Sequence, residues 1–171
     1  LTYLNKGNGR WWLDVRPNLR QEMEERKKRF DDAAVLDEIR QAIGRVMGNQ
    51  HPFDAFHVFT RDADIPDDML LRLVVLPPSA AWTRSGHNPA RDAARQILRS
   101  RGDQPRQKQN RLLFLAPDFD QVGRLKDIVR VLLSWRSIEA DIKDMRLTLD
   151  NHQQRQATQG REQAMETLLR L

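Results

Sequence analysis

The chain has 171 residues, no cysteine and no apolar run near the ~18 residues of a membrane-spanning helix, which excludes disulfides, thiolate metal sites, a cysteine nucleophile and a transmembrane helix. Charged residues make up 31% and hydrophobic residues 39%, the balance of a folded chain rather than a disordered one. With 29 Lys+Arg against 24 Asp+Glu the formal net charge is +5. Arginine dominates the cations, so the charge fits a phosphate-bearing partner as well as an ordinary solvated surface.

The N-terminus, LTYLNKGNGRWW, lacks the basic-then-apolar layout of a signal peptide, and a cytoplasmic setting is expected. The chain opens without methionine inside structured-looking sequence and reads as a piece of something longer. Lys6-Gly7-Asn8-Gly9 forms a turn into a strand in which Trp11, Leu13 and Val15 share one side, ended by Pro17. Asn18 and Gln21 have capping-box spacing and start a helix through Phe30, with a thin stripe of Leu19, Met23 and Phe30. A second helix, capped by Asp31 or Asp32, has a fuller stripe of Val35, Leu36, Ile39, Ala42, Ile43 and Val46, and stops at Gly48 and Asn49.

Ala55–Thr60 is a short strand. Leu70–Leu76, a β-branched apolar run closed by Pro77 and Pro78, suits a strand buried on both faces. Asn88-Pro89 pairs an N-cap with proline at the first helical position, and Gly102 suits the end of that helix. Arg111–Ala116 is the next strand. Strand, helix and strand form a βαβ unit, so Leu70–Leu76 and Arg111–Ala116 should be parallel and joined by a right-handed crossover. From Asp141 to Leu171 the pattern is helical, but its middle, DNHQQRQATQGREQ, is polar, which predicts packing on a further part of the protein, on a second copy, or fraying.

The expected fold is therefore α/β: a small mixed sheet with a parallel βαβ unit, flanked by helices, with a long C-terminal helix. Residues 1–140 form the α/β domain and 141–171 a helical extension.

The stretch NRLLFLAPDFD places Asp118 where a buried strand ends, a position catalytic acids often take. Asp118 also precedes an amphipathic helix carrying Phe119, Val122, Leu125, Ile128, Val129, Leu132, Leu133 and Trp135, with Gln121 at capping-box spacing. Phe119 stands where a Walker-type acid would have a second acid, so the cap reading is preferred. A nuclease pattern of Asp118 with Asp141 and Lys143 needs the second group on a strand, and it falls in a helix. His51, His57, His87 and His152 show no metal-ligand spacing, and no metal site is assigned. Asp62, Asp64, Asp67 and Asp68 make an acidic loop without calcium-loop spacing, better read as a solvated turn. No G-x-x-x-x-G-K-[ST] loop exists, so the chain by itself is not expected to hydrolyse ATP.

The most pointed charge cluster surrounds the βαβ unit. Arg91, Arg95 and Arg99 recur every four residues, one ridge of a helix whose other side carries Ala90, Ala94, Ile97 and Leu98. Arg101, Arg106, Lys108 and Arg111 follow, with Asp103 alone opposing them. Like charges at this spacing cost a few tenths of a kcal/mol per pair, which a bound phosphate would relieve. Arg91, Arg95, Arg99, Arg106, Lys108 and Arg111 are thus candidate phosphate or nucleic-acid contacts, and a solvated face is the alternative. No aromatic platform of the kind single-strand binders use is visible in this cluster.

Four segments, RWWLDVRPNLRQEMEERKKRF, DIPDDMLLRLVVLPP, RGDQPRQKQNRLLFLAPDFD and RLKDIVRVLLSWRSIEAD, together resemble large prokaryotic predicted ATPases of the AAA+-related domain-of-unknown-function 499 family, over about residues 10 to 155. The resemblance implies a multidomain cytoplasmic ATPase whose ATP- and magnesium-binding loop lies upstream of this segment. It also implies work near DNA, in the neighbourhood of DNA-modification and phage-defence genes. No catalytic residue of the family maps onto this chain. The expected function is a non-catalytic α/β segment of such a machine, partnered by the remainder of the ATPase and by DNA. The alternatives are a nucleic-acid-binding module, or a scaffold dimerising through the C-terminal helix.

Overall fold

A computed structural model describes residues 3–7, 9–14, 18–48 and 52–171, with residues 3–7 and 10–14 described by backbone alone. Asn8, Val15, Pro17, Asn49 and His51, and the side-chain facing of Trp11 and Leu13, lie outside the described residues. In chain order the elements are β1 (Tyr3–Gly7), β2 (Arg10–Asp14), α1 (Leu19–Lys27), α2 (Asp32–Met47), β3 (Ala55–Val58) and β4 (Arg72–Val75). Then come α3 (Pro89–Arg99), β5 (Ser100–Arg101), β6 (Gln104–Pro105), β7 (Leu112–Leu115), α4 (Phe119–Lys143) and α5 (Asn151–Leu169). The class is α/β, with a three-stranded parallel sheet, separate antiparallel pairs and a long C-terminal helix. No helix among the described residues is long and apolar enough to cross a membrane.

By internal contacts the chain divides into residues 1–35 with 125–171, and residues 36–124. The expected boundary after residue 140 lies within α4, and α5 shares a core with α1 and α4.

The 36–124 unit holds the parallel sheet, in the order β3-β4-β7. Ala55, Arg72 and Leu112 stand side by side at one end of the strands, and Val58, Val75 and Leu115 at the other. All four residues of β4 are buried, as expected for a central strand, the apolar Leu73, Val74 and Val75 together with Arg72, which Asp68 pairs. On one face Val74 and Leu76 pack with Leu112 and Phe114 of β7, Ala90, Ala93 and Ile97 of α3, and Ile65 and Ala80. Leu113 and Leu115 point to the opposite face of the edge strand, where both are exposed.

β3, β4 and α3 are each shorter than their patterns predict, for a visible reason. β3 ends at Val58 because Phe59 takes a left-handed φ of 55°. β4 begins only at Arg72 because the Leu70 and Leu71 N–H groups go to the Asp68 and Asp54 carboxylates. α3 stops at Arg99, short of Gly102, because β5 turns back to pair with β6. Gly102, with φ 57°, makes that turn.

The other unit is mostly helical. In β1 and β2 the antiparallel register puts Gly7 opposite Arg10, and Gly9 supplies the turn with φ 75°. Asn18 Oδ1 accepts the Arg20 and Gln21 N–H groups at 3.1 and 3.3 Å and starts α1. The helix ends at Lys27, short of Phe30, and Asp31 caps α2 through the Ala34 N–H at 2.9 Å. Leu19 and Met23 pack with Val131, Trp135 and Ile138 of α4, Leu149, and Ala157 of α5. The expected single helix from Asp141 onward is broken: α4 ends at Lys143, Met145 takes φ 56°, and a capping box between Asp150 and Gln153 starts α5. The polar middle of α5 lies on α4 through small residues. A Cβ built on Gly160 would stand 2.5 Å from Trp135 Cε2, and Arg161 pairs with Glu139 at 2.9 Å.

Candidate nucleic-acid interface

α3 owes its start to one side chain. Asn88 Oδ1 accepts the Arg91 N–H at 3.1 Å, Asn88 Nδ2 donates to the Thr83 carbonyl at 2.8 Å, and Pro89 presets the first helical φ. With Ala90 and Ile97 in the core, the four-residue spacing carries Arg91, Arg95 and Arg99 to the opposite side, and all three are exposed. Among the described residues no carboxylate forms an ion pair with any of them. Asp92 pairs with His87 Nε2 at 3.0 Å instead.

The structure adds an aromatic that the sequence reading missed. Beyond the C-terminal ends of β4 and β7, Trp82 pairs with Asp118 in a parallel bridge. Its N–H donates to the Pro117 carbonyl at 2.8 Å, and its own carbonyl accepts the Phe119 N–H at 3.0 Å. The backbone is thereby fixed while Trp82 remains 44% exposed. The Arg91 guanidinium carbon lies 5.6 Å from the centre of the Trp82 ring, within cation–π range. The expectation of no aromatic beside the ridge is therefore corrected. Trp82 precedes the helix, outside its four-residue spacing, and the loop between it and Asn88 folds it back onto the ridge. The available clue was a tryptophan in AAWTRSGHNP, a stretch with no apolar period to bury it.

The remaining candidates separate. Lys108 is exposed, but its N–H donates to Asp67 Oδ1 at 2.8 Å. Arg111 is half-buried, and its Nε, fully covered, has no hydrogen-bond partner among the described residues. Arg106 is 3% exposed, and its guanidinium donates to the carbonyls of Ile97 at 2.8 Å, Pro66 at 2.9 Å, Ile65 at 3.0 Å and Asp62 at 3.4 Å. A buried fork filled by carbonyls has nothing left for a phosphate. Arg106 is accordingly removed from the set of surface contacts.

The acids are occupied one by one. Asp118 Oδ1 accepts the Asp120 N–H at 3.1 Å and its carbonyl the Gln121 N–H at 3.0 Å, the bonds of a residue opening α4. Asp141 pairs with Arg26 at 2.7 Å. In the acidic loop Asp62 bonds the Ala63 N–H and Asp64 pairs with Arg61. Asp67 accepts the Gln107 and Lys108 N–H groups, which hold its carboxyl below the usual range. Asp68 grips Arg72 through both oxygens and is lowered by that guanidinium. Arg72 also lies 3.1 Å from His57 Nε2, and burial, then Arg72 and Arg106, push the His57 imidazole down. Among the described residues no group of three such side chains could hold a metal ion.

The nearest glycine pair, Gly7 and Gly9, belongs to the β1–β2 turn and lacks the lysine and hydroxyl of a phosphate loop. Compared with protein-family models, curated proteins and solved structures, the chain matches none.

Proposed function

We propose that this chain is a non-catalytic α/β segment of a larger ATP-dependent protein acting on DNA, in the phage-defence setting its sequence resemblance implies, and that α3 contributes a phosphate-contacting surface. ATP and magnesium then bind elsewhere in that protein. One observation carries the proposal: Arg91, Arg95 and Arg99 are exposed on one ridge without carboxylate partners among the described residues. Arg26, Arg72, Arg130 and Arg161, by contrast, are all ion-paired. A row of unpaired guanidinium groups carries a standing repulsion that an anion relieves. Such contacts position a nucleic acid and do not read its bases.

The test is a DNA titration at several salt concentrations, wild type against the triple variant Arg91→Gln, Arg95→Gln, Arg99→Gln. Counterion release predicts a log–log slope of about −0.9 per phosphate neutralised on duplex DNA, flattened by up to ~3 units in the variant. Equal slopes and affinities would reduce the ridge to a solvated face. A dimer through the C-terminal helix has less support, because Ala157, Ala164 and Leu168 of α5 are already buried.

A further inference from the structure

Resting on that reading of the ridge, we infer that its substrate is single-stranded nucleic acid, with Trp82 as the stacking platform for a base whose phosphates follow α3.

A tryptophan exposed at 44% leaves apolar surface in water that a flexible side chain would withdraw. The Trp82 backbone is held at that edge, its N–H by Pro117 and its carbonyl by Phe119, and the Arg91 guanidinium lies over one face of the ring, which leaves the other face for a base. The ridge begins at that ring. Arg91 therefore meets the ring and the first phosphate together, and Arg95 and Arg99 continue the same line. At ~1.5 Å per residue these three arginines span about 12 Å, room for only a few phosphates of one strand. Phe119, exposed and bonded through its N–H to the Trp82 carbonyl, places a second ring at the same edge of the sheet.

The class of nucleic acid follows from what each part needs. Phosphates are available on duplex and single strand alike. The face of a base is not, since in a duplex it is covered by its neighbours. An arginine ridge alone would serve either form, whereas an exposed ring at its head serves only a strand whose bases are free to stack. Stacking tolerates any base, because every base has a π face.

The experiment measures affinity by fluorescence anisotropy for a labelled oligothymidylate and for a mixed-sequence duplex of the same length, at matched salt. The proteins are wild type, Trp82→Ala, Trp82→Phe and the triple glutamine ridge variant. Wild type is expected to prefer the single strand. Trp82→Ala should lose about five- to 150-fold there, equivalent to one base stack, with the salt slope unchanged. Trp82→Phe should keep most of the affinity, and duplex binding should not move. If Trp82→Ala lowers the melting midpoint, Trp82→Leu replaces it, keeping apolar cover without a π face. An unchanged affinity in the Trp82 variants, or an equal loss on both probes, overturns stacking; if the ridge variant still weakens binding, the phosphate surface stands without it. A wild-type chain that binds neither probe overturns both.

Discussion

Two arginines lie at nearly the same depth, one in each unit, and are held in opposite ways. Arg26 of α1, 6% exposed, meets Glu22 at 2.7 Å, Asp141 at 2.7 Å and the Ser137 hydroxyl at 2.7 Å. Burial works against its charge, but the two carboxylates outweigh burial and hold its guanidinium above the ordinary range. Arg106 meets only carbonyls. Burial dominates there and pulls it down, with Asp67 a partial offset. The difference comes from the chain between β3 and β4. Parallel strands usually cross over through a helix, whose carbonyls bond internally. This crossover has only a short 3₁₀ turn, Asp62–Asp64, which bonds the Arg61 and Asp62 carbonyls internally and leaves those of Ile65 and Pro66 to an outside donor. Arg106 supplies one to Asp62, Ile65 and Pro66 at once. In one unit charge balances charge; in the other a guanidinium stands in for a missing helix.

The largest expected effect tests that contrast. Arg106→Ala leaves several carbonyls without donors and should cost about 3 kcal/mol or more. Arg106→Lys should recover little, because a compact ammonium cannot reproduce a planar fork. Arg26→Ala should cost less than the ~3–5 kcal/mol of a fully buried pair, since Glu22 and Asp141 keep some solvent. Arg26→Lys should recover a larger share, because carboxylates accept a point charge. Urea midpoints of the four variants decide it, and equal recovery by lysine at both sites would erase the distinction.

Packing supplies a second contrast. The helical unit brings α5 against Trp135 at Gly160, where an added Cβ would sit 2.5 Å from the ring. Gly160→Ala should therefore destabilise by ~1–3 kcal/mol despite alanine's better helix propensity. A glycine at Gly44 in α2 has open space around it, and Gly44→Ala should stabilise by up to ~1 kcal/mol. Thermal melts that move both variants the same way would contradict the close-approach account.

Most of the parallel core was legible because periodicity reports burial. LLRLVVL announced a central strand, and Asn88-Pro89 announced α3. Element ends were less legible, because they depend on partners distant in sequence: Asp54 takes the Leu71 N–H, and β6 recaptures the chain after Arg99. The candidate surface was half legible. Spacing of four put Arg91, Arg95 and Arg99 on one side, but sequence could not tell that Arg106 turns inward while Trp82 joins the ridge. Both depend on where loops lead, and a loop has no period. The α4–α5 break had a local signal, the Asp150 and Gln153 capping box, set among the weak helix formers Thr148, Asn151 and His152.

A smaller effect concerns the junction after β7. Asp118→Ala removes the side-chain bond to the Asp120 N–H and should cost ~1 kcal/mol, within the usual ~0.5–2 range for a cap. An unchanged melting midpoint with lost DNA-dependent activity of the larger protein would give Asp118 a chemical role instead.

The smallest effect is a pH dependence that returns to the two units. His57 is pushed below its ordinary value of about 6.5, so below that pH the unfolded chain takes up a proton the folded one refuses. Stability of the α/β unit should fall as acid is added below about pH 6.5. Asp67 and Asp68 are also lowered, and their share is lost only below about pH 4. In the helical unit Asp32, bonded to Lys126 at 2.8 Å and also paired with Arg130, is lowered as well, and its share goes in the same acid range. His57 therefore adds a first acid loss to the α/β unit that the carboxylates do not. Residue-resolved amide exchange, corrected for intrinsic rates, should show the Val74 and Val75 amides losing protection between about pH 7.5 and pH 5, and His57→Gln should remove most of that loss. Protection of these strands that is flat across that window, or a loss that survives His57→Gln, would detach the imidazole from the stability of the sheet.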